Sequence, residues 1–304
     1  MKNKWFLIAN PKSGRGKLEK SRAEIEKLLQ QNNIDFEWHS TKFAGEAMAI
    51  AEKAVNDGFT HLISAGGDGT LHEVANGVMR AKSVDKITIG AIPVGTGNDW
   101  AKSFNYPTNF KGAVERIAAG KTILHDIGVA EFQGKNGPET RYFINIAGLC
   151  YDAFVTLQTN IGKANGDGGK FFYLKTILKN LFSYENTQVN YEVDGKEIIS
   201  PMFNFCVGIN CFNGDGVKQC PNAKPDDGLL DVTAYTDMTK WELISNLPHL
   251  PTGAFVKHKK INTHQAREVK FSSTPQVLLE ADGEDLGSTP ARFTLIEKAV
   301  KMIV

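Results

Sequence analysis

The sequence lacks long apolar runs, paired cysteines and a clear excess of charge. No apolar stretch approaches the roughly 20 residues that a membrane-spanning helix needs, and the run Trp5–Ala9 is too short for the core of a signal peptide. The four cysteines have no Cys-x-x-Cys spacing, so we expect reduced thiols and neither a zinc site nor a disulfide framework. The net charge of +1 argues against a nucleic-acid partner.

The order of strand and helix patterns predicts two domains. A chain of 304 residues is long enough for two domains of about 100–200 residues each. Over the first 100 residues, short apolar runs alternate with stretches in which apolar residues recur every three or four positions. This alternation predicts a parallel sheet flanked by helices. We therefore expect a Rossmann-like α/β domain over residues 1–124.

Strand-like segments dominate beyond residue 124. Turn pairs such as Asp194-Gly195 and Asp282-Gly283 separate them, which favours an antiparallel β-rich sandwich domain over residues 125–291. Residues 170–184 and 240–257 look at least partly helical, and the glycine-rich residues 162–169 predict a mobile loop. Residues 292–304 are candidates for packing back onto the first domain.

Three glycine-rich segments follow predicted strands of the first domain, at residues 10–14, 66–70 and 95–99. Ligands bind beyond the carboxyl ends of strands in an open α/β sheet, so we expect the three segments to line one crevice. Glycine lets the backbone approach a ligand, and backbone N–H groups favour an anion such as phosphate. Any one segment alone is better explained as a turn, but their joint placement favours a phosphate site. None has the Walker A or the complete Gly-x-Gly-x-x-Gly pattern.

Asp68 lies in the second glycine-rich segment. A carboxylate beside phosphate oxygens is repelled unless a cation lies between them, and Mg²⁺ commonly bridges the two. The alternative is a turn role for the Asp68-Gly69 pair. We favour the metal because Glu73 adds a second acid one helical turn later.

Several motifs resemble the diacylglycerol kinase catalytic-domain family, which includes bacterial lipid kinases and sphingosine kinases and is more distantly related to NAD kinases. In the first domain the matching residues are 10–14 (NPKSG), 66–77 (GGDGTLHEVANG) and 93–99 (PVGTGND). In the second they are 145–153 (NIAGLCYDA), 221–231 (PNAKPDDGLLD) and 282–284 (DGE). The resemblance spans nearly the whole chain in order. Trp100 is a conservative departure, because the family more often has Phe there.

The resemblance implies a kinase whose active site lies in the cleft between the two domains. It makes Glu284 the general base, with Asp282 beside it as a further catalytic candidate. We expect Asp68 to be catalytic as well, as the residue that organises the metal. It places a further Mg²⁺ at Asp227 and at the backbone carbonyls of Lys224 and Leu229, and leaves open whether that ion is structural or catalytic. The positions that match the family's ATP site are Asn10, Pro11, Lys12, Ser13, Gly14, Thr41, Gly67, Asp68, Gly69, Thr70, Leu71, His72, Glu73 and Thr96.

These implications predict ATP- and Mg²⁺-dependent transfer of the γ-phosphoryl group to a lipid hydroxyl such as that of diacylglycerol, a step of phospholipid biosynthesis. Two alternatives stay open: a kinase for NAD or another soluble metabolite, and a nucleotide-binding regulator without catalysis. The sequence does not identify the lipid. It also leaves the oligomeric state open, a homodimer included.

Residues 170–184 and the basic residues 257–260 are the two candidates for contact with lipid. In the first, one predicted helical stripe carries the apolar residues and another carries the lysines: Phe171, Leu174, Leu178, Leu181 and Phe182 against Lys175 and Lys179. This pattern is typical of a helix that covers a core and also of one that rests on a membrane. We favour the core. The lipid substrate would then be met at the inner membrane face by a cytoplasmic protein in peripheral contact.

Overall fold

The computed structural model describes residues 4–82, 87–164 and 170–304, which form two compact units. One unit contains the chain up to Ile127 together with Glu297–Val304, and the other is Gly128–Ile296. The division predicted after residue 124 falls inside strand β5 (Thr122–Gly134), which leads from the first unit to the second. No helix within the described residues is long and apolar enough to cross a membrane.

The first unit is built on a parallel sheet, in agreement with the predicted α/β class. Its strands are β1 (Trp5–Ala9), β2 (Phe36–Ser40), β3 (His61–Gly66) and β4 (Thr88–Pro93). They are arranged in the order β2-β1-β3-β4, and every neighbouring pair is parallel. Strands β3 and β4 are buried along almost their whole length, as is usual when helices cover both faces of a sheet.

In the described residues of this unit, six helices alternate with these strands. They are α1 (Ser13–Lys20), α2 (Arg22–Gln31), α3 (Glu46–Asn56), α4 (Asp68–Arg80), α5 (Asp99–Ser103) and α6 (Phe110–Ala119). Ser21 separates α1 from α2. Helix α4 packs closely on α3 at Gly77, where an added Cβ would lie only 2.2 Å from the carbonyl oxygen of Met48.

The second unit is β-rich, as predicted. After β5 it contains β6 (Gly137–Phe143), β7 (Ile146–Cys150), β8 (Thr187–Val193), β9 (Lys196–Gly208), β10 (Leu230–Thr236), β11 (Ile261–Ala266), β12 (Val269–Ser273), β13 (Leu278–Ala281) and β14 (Glu284–Ile303). The strand pairs described within this unit are antiparallel. Their inward side chains, such as Phe205, Leu279 and Phe293, form a continuous apolar core. The four cysteines are free thiols, as predicted.

The helices described among these strands are α7 (Tyr151–Ala164), α8 (Lys170–Leu181) and α9 (Lys240–Asn246). Two short 3₁₀ helices follow α9, at Leu247–His249 and Ala254–Lys257. Residues 162–164, predicted to be part of a loop, belong to α7, and the remainder of that predicted loop, 165–169, lies outside the described residues.

The predicted faces of α8 need correction. Leu181 is buried, whereas Leu178 and Phe182 are exposed on the same side as Lys175 and Lys179. The predicted apolar stripe is therefore split, and two of its members share the solvent face with the lysines. The side chains of the other two members, Phe171 and Leu174, lie outside the described set.

The last residues of β14 belong to the first unit. From Glu297 onward the chain joins the parallel sheet, where Lys301 and Met302 pair with Thr88 and Ile89 of β4. The backbone N–H of Lys298 also donates a hydrogen bond to Asp126 Oδ1 at 2.6 Å. The first unit is thus assembled from two separate stretches of sequence.

Candidate active site

The three glycine-rich segments lie at the carboxyl ends of β1, β3 and β4. Strands β1 and β3 are neighbours, and the chain leaves them toward opposite sides of the strand order, which is the switch point where open α/β sheets bind ligands. The segments are tied together by their backbones. Asn10 N–H donates to Ala65 O at 3.0 Å, and Val94 N–H donates to Gly66 O at 2.7 Å.

Glycine is required where these segments touch. An added Cβ on Gly95 would lie 2.7 Å from the Cα of Gly67, so the second and third segments meet backbone to backbone. An added Cβ on Gly14, whose φ is +61°, would lie 2.8 Å from the carbonyl oxygen of Val94. The prediction that the three segments lie together is confirmed.

Two carboxylates converge at these segments. A Cβ added to Gly97 would lie 2.9 Å from Asp68 Oδ2 and 3.4 Å from Asp99 Oδ2, so both carboxylates lie beside this glycine. Asp68 Oδ1 also accepts a long hydrogen bond of 3.4 Å from Trp100 N–H, and Asp99 Oδ1 lies 3.0 Å from Lys102 Nζ. Asp99 was not predicted as a site residue, although its position as the last residue of the third glycine segment was a usable signal.

Helix α4 begins at Asp68, so the backbone N–H groups of its first turn face the same region. Such a terminus favours negative charge, since these N–H groups have no partner within the helix. The side chains of Thr70, Leu71 and His72 are buried, and Thr70 Oγ1 accepts a hydrogen bond of 3.4 Å from Asn10 Nδ2. Of the predicted ATP residues around this turn, Lys12 and Thr96 are exposed.

Thr41 and Glu73 lie near the start of α3. The backbone N–H of Thr41 donates to Ala9 O at 2.8 Å, which places Thr41 beside the first segment. Both oxygens of Glu73 accept hydrogen bonds of 2.9 Å from the N–H groups of Gly45 and Ala47, where α3 begins. Glu73 therefore caps α3. It does not act as the second acid that was expected to support a metal at Asp68.

Trp100, the departure from the family pattern, is fully enclosed. Its ring packs against Phe104 and Tyr106, and its indole N–H donates to Nε2 of the buried His125 at 3.4 Å. The larger aromatic side chain is thus accommodated beneath the third segment, with its polar atom satisfied.

In the second unit, Glu284 lies at a tight hairpin turn. It pairs with Ala281 across the turn between β13 and β14, and the two central residues, Asp282 and Gly283, have φ values of +51° and +86°. Positive φ at both positions is the geometry that the Asp-Gly pair favours. The side chain of Glu284 is exposed.

Asp282 holds this hairpin in place. Its Oδ1 accepts from the N–H groups of Asn145 and Ile146 at 2.9 and 3.2 Å, and its Oδ2 accepts from Ile144 N–H at 2.9 Å. Both oxygens of the carboxylate therefore accept hydrogen bonds from the backbone at the start of β7. This geometry supports a positioning role for Asp282 in place of the predicted catalytic one.

A buried acid pair, which the sequence did not predict, lies next to the hairpin. Asp152 at the start of α7 and Glu280 on β13 are both enclosed and hydrogen-bonded to each other, and Asn213 Nδ2 lies 3.2 Å from an oxygen of each. Burial raises the pKa of both carboxyls, and for Glu280 the charge of Asp152 raises it further. Glu280 Oε2 accepts from Gly283 N–H at 2.8 Å, so the pair also anchors the hairpin.

The predicted Mg²⁺ ligands of residues 224–229 form an exposed turn. Asp227 Oδ1 accepts from Leu229 N–H at 3.1 Å. Burial raises the pKa of the neighbouring Asp231 to about 6, and the charge of Asp227 adds to this effect. One carboxylate and two carbonyl oxygens are the hard oxygen donors that Mg²⁺ prefers, so the residue types fit the ion. Across residues 4–82, 87–164 and 170–304, no three His, Cys, Asp or Glu side chains are grouped to hold a metal.

Comparisons with known proteins match both units. Residues 4–130 match the diacylglycerol kinase catalytic domain, and residues 146–304 match the YegS C-terminal NAD kinase beta sandwich-like domain. A diacylglycerol kinase of Staphylococcus carnosus (strain TM300) is 29% identical over 302 residues, which cover 99% of this chain and 95% of that protein. A diacylglycerol kinase of Staphylococcus aureus (strain MRSA252) is 28% identical over 300 residues, covering 99% and 92%.

Solved structures show the same fold. A crystal structure of a diacylglycerol kinase from Bacillus anthracis str. Sterne superposes with a TM-score of 0.74 at 22% identity, covering 99% of this chain and 96% of that one. Yeast NADH kinase complexed with NADH gives a TM-score of 0.53 at 11% identity, covering 99% and 83%. With an α/β unit whose glycine segments meet around Asp68 and a β-rich unit of the YegS type, the chain belongs to the diacylglycerol kinase catalytic domain family.

Proposed function

We propose that the chain is a lipid kinase that transfers the γ-phosphoryl group of ATP to the hydroxyl of a lipid such as diacylglycerol. The observation that carries this proposal is the convergence of the three glycine segments around Asp68 and Asp99. Backbone N–H groups held this closely suit the phosphates of a nucleotide. Family membership and relatives named diacylglycerol kinase support the choice of reaction.

The proposed roles follow from the positions of the residues. Segments 10–14, 66–70 and 95–99, with the first turn of α4, hold and orient the triphosphate. Asp68 and Asp99 are the carboxylates that would hold Mg²⁺ there, and Asp227 is the candidate for a second ion. Mg²⁺ bound at such carboxylates neutralises the charge of the phosphates.

Glu284 is the proposed general base. A lipid oxygen forms the new bond to the γ-phosphorus while the bond from that phosphorus to the β-γ bridging oxygen breaks, and ADP leaves. The hydroxyl proton passes to the carboxylate of Glu284. A positioned base contributes about 10²–10⁴-fold to such a transfer. The role requires Glu284 and the γ-phosphate to share one cleft, which a crystal structure with bound nucleotide would test.

One assay separates this function from its alternatives. Purified protein is incubated with γ-labelled ATP and Mg²⁺, and with diacylglycerol, other hydroxylated lipids or NAD in parallel. Labelled phosphatidic acid or another phosphorylated lipid is the expected product. Label on NAD alone would identify a soluble-metabolite kinase. Nucleotide binding without transfer to any acceptor would identify a regulator.

A further inference from the structure

The solvent face of α8 combines basic and apolar side chains. Lys175, Leu178 and Lys179 lie in α8 and Phe182 directly follows it, at spacings of three, one and three residues, which places the four on one side of the helix. All four are exposed, Leu178 by 40% and Phe182 by 62%. The core is covered by other residues of this helix, including the buried Leu181. The exposed apolar residues are therefore not needed to complete the core.

Trp241 adds a large aromatic ring to the same part of the second unit. It lies in the first turn of α9 and is 76% exposed. The preceding residue, Lys240, donates a hydrogen bond from Nζ to the carbonyl of Tyr184, two residues after Phe182. A second tie joins Asn186 Nδ2 to Met238 O at 3.4 Å. The start of α9 is thus fastened to the chain that leaves α8.

We call Lys175, Leu178, Lys179, Phe182 and Trp241 the docking patch. Its surroundings are basic, because residues 170–182 contain three lysines and no carboxylate. Beyond α9, Lys257 and Lys259 are exposed, and Glu242 is paired with Lys260 at 2.9 Å. The acids beside the start of α9 are Glu185, Asp237 and Glu242, fewer than the lysines around them. In a chain with a net charge of only +1, this is a local excess of positive charge.

We propose that the docking patch rests on the surface of an anionic lipid bilayer. Apolar side chains would enter the headgroup layer while the lysines meet anionic headgroups, and tryptophan is enriched at such interfaces. A second copy of the chain is a poorer occupant, because its own lysines would face these lysines. The inference deepens the proposed function, since a bilayer would present the water-insoluble alcohol. Binding itself does not depend on catalysis.

The test is sedimentation with vesicles of phosphatidylcholine alone or mixed with phosphatidylglycerol. The wild-type chain should bind the mixed vesicles. The triple variant Leu178→Ser, Phe182→Ser, Trp241→Ser should bind them with an affinity at least about tenfold lower. These side chains are exposed, so folding is preserved. The matched control is Ile199→Ser on β9, where an apolar side chain 66% exposed lies outside the patch. The control should bind as the wild type does.

A charge variant tests the lysines. Lys175→Glu with Lys179→Glu should lower binding to the mixed vesicles by about tenfold. Lys53→Glu with Lys111→Glu changes the net charge equally on exposed helices of the first unit and should have a smaller effect. Wild-type binding that the triple variant leaves unchanged would overturn the proposal. A wild-type dimer that the triple variant converts to monomer would also overturn it, in favour of a second copy.

Turnover separates this proposal from the proposed function. The triple variant should lose transfer to diacylglycerol in mixed vesicles, yet keep wild-type rates with a short-chain diacylglycerol dispersed as monomers. If the wild type phosphorylates neither form, the proposed function fails, and vesicle binding alone still decides the patch. Equal loss on both forms would overturn a docking role.

Discussion

Substitutions of Asp68 and Asp99 test the proposed chemistry most directly. Asp68→Asn and Asp99→Asn keep the shape of the side chain, but each removes one of the two negative charges beside Gly97. We expect each to lower kcat by about 10²–10³-fold, since charge held at the reacting phosphate is usually a large part of catalysis. Initial rates with labelled ATP measure this. Asp57→Asn, which alters an exposed ion pair with Lys53, should leave the rate unchanged. A rate within about twofold of wild type for Asp68→Asn would refute its role.

The buried acid pair makes a prediction about pH. The raised pKa of Glu280 means that the folded chain holds a proton that the unfolded chain releases above about pH 4. Folding stability is therefore lost as pH rises from the unfolded pKa toward the folded pKa, by up to about 1.4 kcal/mol per pH unit for one proton. Glu280→Gln removes this loss because the amide does not ionise.

Urea unfolding between pH 5 and pH 8 measures the effect. The difference in unfolding free energy between Glu280→Gln and wild type should grow in favour of the variant as pH rises. Glu139→Gln, on β6 in the same unit, serves as a control whose difference should stay flat. A flat difference for Glu280→Gln as well would show that the pair carries no extra proton.

The sequence predicts the role of a residue only where that role depends on its neighbours in the chain. Asp68 could be selected because it lies inside a glycine segment that follows an apolar strand. The partners of Asp282 are some 137 residues away, and Asp152 and Glu280 meet only through the packing of α7 on β13. No local pattern encodes such pairs, so their roles required the fold.

At the scale of elements, the contact between α3 and α4 depends on Gly77. Alanine favours a helix by about 1 kcal/mol over glycine, but the new Cβ would lie 2.2 Å from Met48 O and 2.7 Å from Ala51 Cβ. Both neighbours are held in a helix, so the steric cost of about 1–3 kcal/mol should prevail. We expect Gly77→Ala to lower the unfolding free energy in urea. A variant as stable as wild type, or more stable, would show that the two helices separate freely.

Helix α7 shows why some elements escaped prediction. Its residues include Tyr151, Val155 and Thr156, which favour strands when considered locally. The helix is stabilised instead by packing, with the ring of Tyr151 stacked on Phe203 at 4.6 Å. In α8, leucine and phenylalanine occur on both faces, so composition alone could not tell which stripe turns inward. The strands β3 and β4 were predictable because they are short, apolar and followed by glycine.

At the scale of the whole molecule, the return of β14 makes the first unit discontinuous. A chain of residues 1–127 alone would leave the edge of β4 without its partner, and an unpaired buried strand is prone to aggregate. We expect this fragment to be less stable in thermal unfolding than the same fragment joined to residues 297–304 by a short glycine-serine linker. Lys298 bonds to Asp126, so such a linker can be short.

Equal melting temperatures for the two fragments would show that the returning segment is dispensable. The sequence did mark residues 292–304 as candidates for this return, and residues 297–304 of that stretch belong to the first unit. It could not supply the neighbour, since the pairing of Lys301 with Thr88 spans more than two hundred residues.

This returning strand also orders events during synthesis. Residues 297–304 leave the ribosome after the whole β-rich unit. Strand β4 therefore lacks its partner at one edge of the parallel sheet while more than half of the polypeptide is synthesised. A message cut short between residues 128 and 296 yields the first unit with one edge of its sheet unpaired. Such a product would be marked for chaperones and proteases by its own missing edge.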